Sequence, residues 1–268
     1  MSRLRQVLQP RLFYAATQSR PISQSFPRAS IQYSTITHQR TSKPLLWLRR
    51  LLYAGFFGNV GVYCAYYVDA KINHQVPLSG SEEDEAIMER LNLIHETGLD
   101  IVKKLREDPA YIETDVYGNY SGEEKDQRLT SGPLAGSRGI ALQKIFWNHK
   151  EKKAINVVYL GEGLDGWPTT VHGGALATVL DEHLARVAIQ NLPERTAVTA
   201  NLDVNYRKKA LSGSFYTVHA MLDQERSTDR KAYVRGEVRN MRGHLCVEAS
   251  GLFVVPRGYQ LRRLGDAY

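Results

Sequence analysis

The chain has 268 residues, 43% of them hydrophobic and 24% charged, which is enough apolar material for one sizeable core and excludes a wholly disordered chain. Its net charge of +7 is local: residues 1–50 hold nine Lys/Arg and no Asp or Glu, so subtracting nine leaves the rest of the chain at −2, and nothing in the body asks for a nucleic-acid partner. Two cysteines, Cys64 and Cys246, make neither a disulfide framework nor a metal site; no metal and no cofactor are expected.

The first acidic residue is Asp69. Before it come scattered arginines, many Ser/Thr, and apolar residues at near-helical spacing (Leu4, Val7, Leu8, Leu12, Phe13). This composition fits a mitochondrial transit peptide over residues 1–44, the alternative being a disordered basic tail. Leu51–Val68, LLYAGFFGNVGVYCAYYV, is uncharged and at the lower length limit for a bilayer span; with its flanks it predicts a transmembrane helix over 45–70. Tyr63, Tyr66 and Tyr67 gather at its C-terminal end, where aromatic rings favour headgroups. Gly55, Gly58 and Gly61 leave a small-residue stripe. In an inner membrane, Arg49 and Arg50 argue for the N-terminus in the matrix and the body in the intermembrane space.

Residues 71–139 read as a helical linker and loop. Ser81 caps a helix start with an acid, Asp84, three residues on. Ile87, Leu91, Ile94, Val102 and Leu105 form its apolar stripe, Gly98 weakens its middle, and Asp108-Pro109 ends it. Tyr117–Arg138 is polar and Gly-rich, a long loop. Two strand-like runs, Ile140–Trp147 and Ala154–Leu160, then form a hairpin. One helical segment, Gly173–Ile189, follows, and after it four more strands: Ala197–Arg207, Ser214–Asp223, Lys231–Arg239 and Leu245–Val255. The order β-β-α-β-β-β-β predicts an α+β domain over 140–258, one helix against a largely antiparallel sheet, with a short tail at 259–268.

The chemistry is concentrated in His172-Gly173-Gly174-Ala175-Leu176-Ala177-Thr178-Val179-Leu180-Asp181. At 100° per residue Leu176, Val179, Leu180, His183 and Val187 share the core-facing arc. Asp181 lies beside it in a stripe of small residues, Gly174, Ala177, Ala185 and Ala188. A carboxylate flanked only by small side chains leaves room for a ligand, or for close packing by another helix. The Gly-Gly start offers unpaired N–H groups, a positive dipole end and no side chain in the way of a substrate oxygen, the requirements of an oxyanion hole; a plain turn has the same sequence. Gly173 and Asp181 lie about 12 Å apart along one helix axis, too far to share one carbonyl. If both serve one reaction, they come from different subunits.

HGGALATVLD (His172–Asp181), VTANLDVNYRKKAL (Val198–Leu211) and LCVEASGLFVVP (Leu245–Pro256) resemble the hotdog-fold thioesterases of the phenylacetate-pathway type. The resemblance is stronger to the mitochondrial acyl-CoA thioesterases known as thioesterase superfamily members four and five. It covers roughly Ile140–Pro256, while the N-terminus is more similar to a fungal group of mitochondrial membrane proteins carrying this domain. The resemblance implies a hotdog: a long central helix wrapped by a curved antiparallel sheet, paired as a homodimer or tetramer. It implies hydrolysis of acyl-CoA, with Asp181 as general base or nucleophile, the Gly173 amide of the other chain as oxyanion donor, His172 in the catalytic set, and Thr199 positioning the carboxylate.

Substrate contacts are expected at Gly174, Asn201, Arg207 and Lys208, with Arg207, Lys208 and Lys209 available to CoA phosphates or forming a solvated turn. By alternation Thr199 falls on the polar face of its strand with Asn201, Asp203 and Asn205. Glu182, where many relatives have a small residue, should point away from Asp181 and be solvated or paired with a loop. Gly166 stands where some relatives have a hydrogen-bonding Asn, which lends weight to a rival reading, a non-catalytic acyl-binding or assembly module. A hotdog dehydratase would need a catalytic histidine; His172 and His183 are poorly placed for it.

Overall fold

The computed structural model describes residues 43–72, 77–258 and 263–264. The transit-peptide reading of residues 1–44 and the tail at 259–268 lie outside the described residues, except at 43–44 and 263–264. The apolar segment forms one helix, α1 (Lys43–Ile72). Its stretch Pro44–Asp69, 26 residues with none buried, is long and apolar enough to cross a membrane. At 1.5 Å per residue it measures roughly 39 Å, more than a hydrocarbon core of about 30 Å requires.

In the body, a helix at Gly173–Asn191 packs against a seven-stranded sheet. The strands are β1 (Ile112–Asp115), β2 (Ile140–Asn148), β3 (Lys153–Leu160), β6 (Val198–Tyr206), β7 (Ser214–Thr228), β8 (Lys231–Asn240) and β9 (Leu245–Val254), in spatial order β1-β2-β3-β7-β8-β9-β6. Every neighbouring pair is antiparallel. Two short strands, β4 (Asp165–Trp167) and β5 (Thr170–Val171), make a separate hairpin just before the central helix. That helix is α5, after α2 (Glu82–Leu93), α3 (Asp100–Glu107) and α4 (Gly122–Asp126). Chain order and spatial order differ at one place. After β3 the chain runs through α5, then lays β6 at the far edge of the sheet, and β7, β8 and β9 fill the gap between them.

The core-facing arc of α5 is buried as the periodicity requires: Leu176, Val179, Leu180, His183 and Val187, joined by Leu184. Burial of each Leu or Val there contributes about 1.5–3 kcal/mol. The helix lies so near the sheet that a Cβ at Gly236 on β8 would sit 2.4 Å from Leu184 Cδ1. This is the single central helix in a wrapped antiparallel sheet that defines a hotdog.

A second layer covers the other face of β2, β3 and β7. Leu91, Val102 and Leu105 of α2 and α3 pack with Leu142, Phe146, Ile155, Val157 and Phe215. Strand β3 is therefore buried on both faces, which is why Ala154–Val158 reads as a continuous apolar run broken only by Asn156.

Three local expectations are corrected. The helix from Ser81 to Asp108 is two helices, because a π-helical turn (Ile94–Gly98) follows α2 and Leu99 is extended (φ −96°, ψ 110°); Gly98 marks the break. The loop at Tyr117–Arg138 contains α4, started by a capping box in which Ser121 and Glu124 satisfy each other's backbone N–H groups. The linker also supplies a strand, β1, whose pairing with β2 widens the sheet.

Candidate active site

Four first-turn N–H groups set the chemistry at the start of α5. His172 is the N-cap, and its ring Nδ1 accepts the Gly174 N–H at 2.9 Å, so Nδ1 carries no proton in this arrangement. The His172 carbonyl accepts the N–H groups of Ala175 and Leu176 at 3.0 and 3.2 Å. Gly173 alone of the four has an N–H without an acceptor among the described residues. The β4–β5 hairpin folds over the cap so closely that a Cβ at Gly166 would lie 2.7 Å from His172 Cδ2. A side chain at position 166 would displace the cap, which accounts for the glycine there.

A cleft of about 320 Å³ opens beside Gly173, lined among others by Thr170, Leu176, Tyr206, Lys208 and Lys209. Tyr206 donates its hydroxyl to the Gly173 carbonyl at 2.7 Å. Of the basic trio, Arg207 is committed to Glu248 through a side-chain ion pair, and that carboxylate raises the Arg207 pKa. Lys208 and Lys209 are exposed and have no ion-pair partner among the described residues. Of the expected phosphate contacts, Arg207 and Lys208 both line the cleft, Arg207 with its guanidinium paired to Glu248.

Asp181 lies near the middle of the helix, half-buried, with Gly174 exposed and Ala177 and Ala185 half-buried in the same stripe. Ala188, the last member, is buried in the core, so the stripe is open only as far as Ala185. Thr199 donates Oγ1–H to Asp181 Oδ1 at 2.9 Å. Strict alternation puts Thr199 with Asn201 on the polar face; a β-bulge overturns that. Thr199 lies opposite Phe253 and Asn201 opposite Leu252, with the register shifting between them. Consecutive residues on β9 face opposite ways, so the bulge turns Thr199 toward α5 alongside the core residue Phe253 and leaves Asn201 on the other face. Asn201 instead lines a separate cleft with Asp223, Tyr233 and Arg235.

Glu182 is paired with the loop. The Tyr117 hydroxyl donates to it, and Arg186 one turn on lies 3.1 Å away. Arg186 is wholly buried and sits 4.7 Å over the Tyr117 ring. His183 is also wholly buried, with Nε2 3.3 Å from the Ala154 carbonyl oxygen. Burial, and then nearby Arg186, push its pKa down to about 3. It is a core histidine. No group of three or more His, Cys, Asp or Glu among the described residues could hold a metal ion.

Tyr206 is the site residue that alternation could have found. It shares parity with Leu202 and Val204, which pack against the core, and so it faces α5.

Comparison with known proteins agrees with this geometry. A family model described as the thioesterase superfamily matches residues 169–247, from the β4–β5 hairpin through α5 to the start of β9. An uncharacterized protein of Schizosaccharomyces pombe is 31% identical over 143 residues, which are 51% of this chain and 79% of that one. Acyl-coenzyme A thioesterase THEM4 of Mus musculus is 33% identical over 141 residues, 52% of this chain and 59% of the mouse protein. The uncharacterized mitochondrial membrane protein FMP10 of Saccharomyces cerevisiae is 28% identical over 171 residues, 60% of this chain and 64% of the yeast protein. A hotdog body with an HGG-capped helix carrying an aspartate places the chain in the thioesterase superfamily.

Proposed function

We propose that this protein hydrolyses acyl-CoA thioesters at a mitochondrial membrane, as a homodimer with its active sites at the subunit seam. The observation that carries the reading is the Asp181 carboxylate, oriented by Thr199 on the open flank of α5. The Gly173 N–H at the helix start supplies the second half of the site. The thioester oxygen would take the Gly173 N–H of one protomer, aided by the helix dipole. Asp181 of the other protomer would remove a proton from water as it adds to the carbonyl carbon, or attack that carbon itself to form a mixed anhydride that water then hydrolyses to the free acid. The C–S bond breaks, and CoA leaves as the thiol after taking up a proton. Lys208, with Lys209, would hold CoA phosphates beside Gly173.

Support for the pairing comes from β6, a nine-residue strand hydrogen-bonded to β9 on one side only among the described residues and so open to a second copy. Support for the location comes from the acid-free basic N-terminus, from α1, and from the mitochondrial membrane relative FMP10. A single span at Leu51–Val68 in the inner membrane is the arrangement proposed.

The test is Asp181→Asn. Palmitoyl-CoA hydrolysis, followed by free-thiol release, should vanish while the circular dichroism spectrum and melting temperature hold; near-normal turnover refutes the assignment. Gly166 favours the second reading, an acyl-binding module without turnover. Tight acyl-CoA binding by an inactive wild type would select it.

A further inference from the structure

The peptide joining Gly173 to Gly174 is held at both ends. Its N–H, on Gly174, is accepted by His172 Nδ1 at 2.9 Å, and its carbonyl, on Gly173, accepts the Tyr206 hydroxyl at 2.7 Å. The preceding peptide is held by its His172 carbonyl, which takes two N–H groups of the first turn. The Tyr206 ring also lies flush on Gly173: a Cβ there would be 3.2 Å from the ring Cζ and from the hydroxyl oxygen.

A Gly-Gly peptide at a helix start is the place where the backbone has most freedom to rotate. An oxyanion donor works only if its direction is fixed before charge develops on the substrate oxygen. The sequence therefore sets two requirements against each other, since glycine gives access but loses aim. The Gly173 N–H sits on the preceding peptide, which is hinged to the clamped one at the Gly173 Cα, so clamping the Gly173–Gly174 peptide limits rotation at that hinge and helps hold the donor's aim without adding a side chain to the approach path. Resting on the reading of Gly173 N–H as the oxyanion donor, we propose that Tyr206 is a positioning residue of the reaction, acting with His172 to hold the Gly173–Gly174 peptide in one orientation.

The experiment uses the full-length chain in detergent and two variants with palmitoyl-CoA. Tyr206→Phe keeps the ring on Gly173 and removes only the hydroxyl. Gly174→Ala places a Cβ 2.9 Å from His172 Nδ1 and pushes the ring off the Gly174 N–H, although alanine is the better helix former. Each should lower kcat roughly tenfold, below the loss of about a hundredfold or more for deleting an oxyanion donor, with KM within about twofold of wild type and no fall in melting temperature. The double variant should be scarcely worse than either single one, because both release the same peptide. Amide hydrogen exchange at Gly174 should be about tenfold faster in Tyr206→Phe.

Unchanged exchange at Gly174, or a Tyr206→Phe enzyme with normal kcat or only a raised KM, overturns the positioning role and leaves the thioesterase reading intact. A wild type with no acyl-CoA hydrolysis overturns that reading and the positioning role with it.

Discussion

The Thr199 hydroxyl reaches Asp181 Oδ1 at 2.9 Å, from edge strand to central helix, because a one-residue bulge turns Thr199 out of the polar row it would otherwise occupy. A carboxylate on a helix flank can swing about two side-chain torsions, and a hydrogen bond to one oxygen leaves the other aimed outward. A bond of this type to a charged group contributes about 1.5–3 kcal/mol. Replacing Thr199 by Val, which keeps the shape, should lower kcat by roughly ten- to a hundredfold with little change in KM. Thr199→Ser should restore most of the rate. A Val variant with wild-type kcat would remove Thr199 from the mechanism.

The cleft cations give a different signature. Lys208 and Lys209 face solvent beside Gly173, whereas Arg207 is neutralised by Glu248. Reversing both lysines to Glu should raise KM for acyl-CoA about tenfold or more while kcat stays within a few-fold, since charge pairing at the nucleotide end is made equally in ground and transition states. The wild-type KM should rise with added salt and that of the double variant should not. An Arg207→Gln change should have a much smaller effect. Equal KM values for wild type and the double reversal would rule out the phosphate role.

Stability depends on the outer layer as well as on the central helix. Phe146 is wholly buried between β2 and the α2–α3 pair, so Phe146→Ala should cost about 3–5 kcal/mol. Denaturant unfolding should remain one transition, showing that the linker helices and the sheet melt together. A variant losing under about 1 kcal/mol would mean that the layer is loosely attached.

Acid sensitivity should begin with a histidine. The folded-state pKa of His183, pushed down to about 3 by burial, lies below its ordinary value of 6.5, so the unfolded chain takes up the proton first. Stability is then complete above about pH 6.5 and declines as the pH falls from there toward 3. Glu96, drawn down to about 2 by its bond to Arg106, adds a further loss as the pH falls below about 4.5. Between pH 8 and pH 4 the melting temperature of wild type should fall further than that of His183→Leu, which lacks the titrating group. Parallel curves would contradict this.

Regular elements were legible in the chain because their signals are local. Alternation located β2, β3 and β7–β9 to within a few residues, and 3.6-residue periodicity located α5 with its buried face. Asp181 and Gly173 were legible from helix geometry and from the residues of the HGG motif. What escaped depends on partners far along the chain. The bulge that turns Thr199 and strands Asn201 on the far face is written in the register with β9, some fifty residues on. Arg207 is brought against Glu248 by its strand, and Glu182 finds its partner in Tyr117, 65 residues before it. Tyr206 stands just before a charged trio, and its contact with Gly173 follows from strand parity and not from charge.

The layer formed by α2 and α3 alters where the folded body begins. Residues 82–107 stand where a passive spacer would be drawn, yet they cover the outer face of β2, β3 and β7. A fragment started at residue 140 would present Leu142, Phe146, Ile155 and Val157 as a naked greasy strip and precipitate before it could be assayed. Any cut meant to yield a well-folded body must therefore fall ahead of α2.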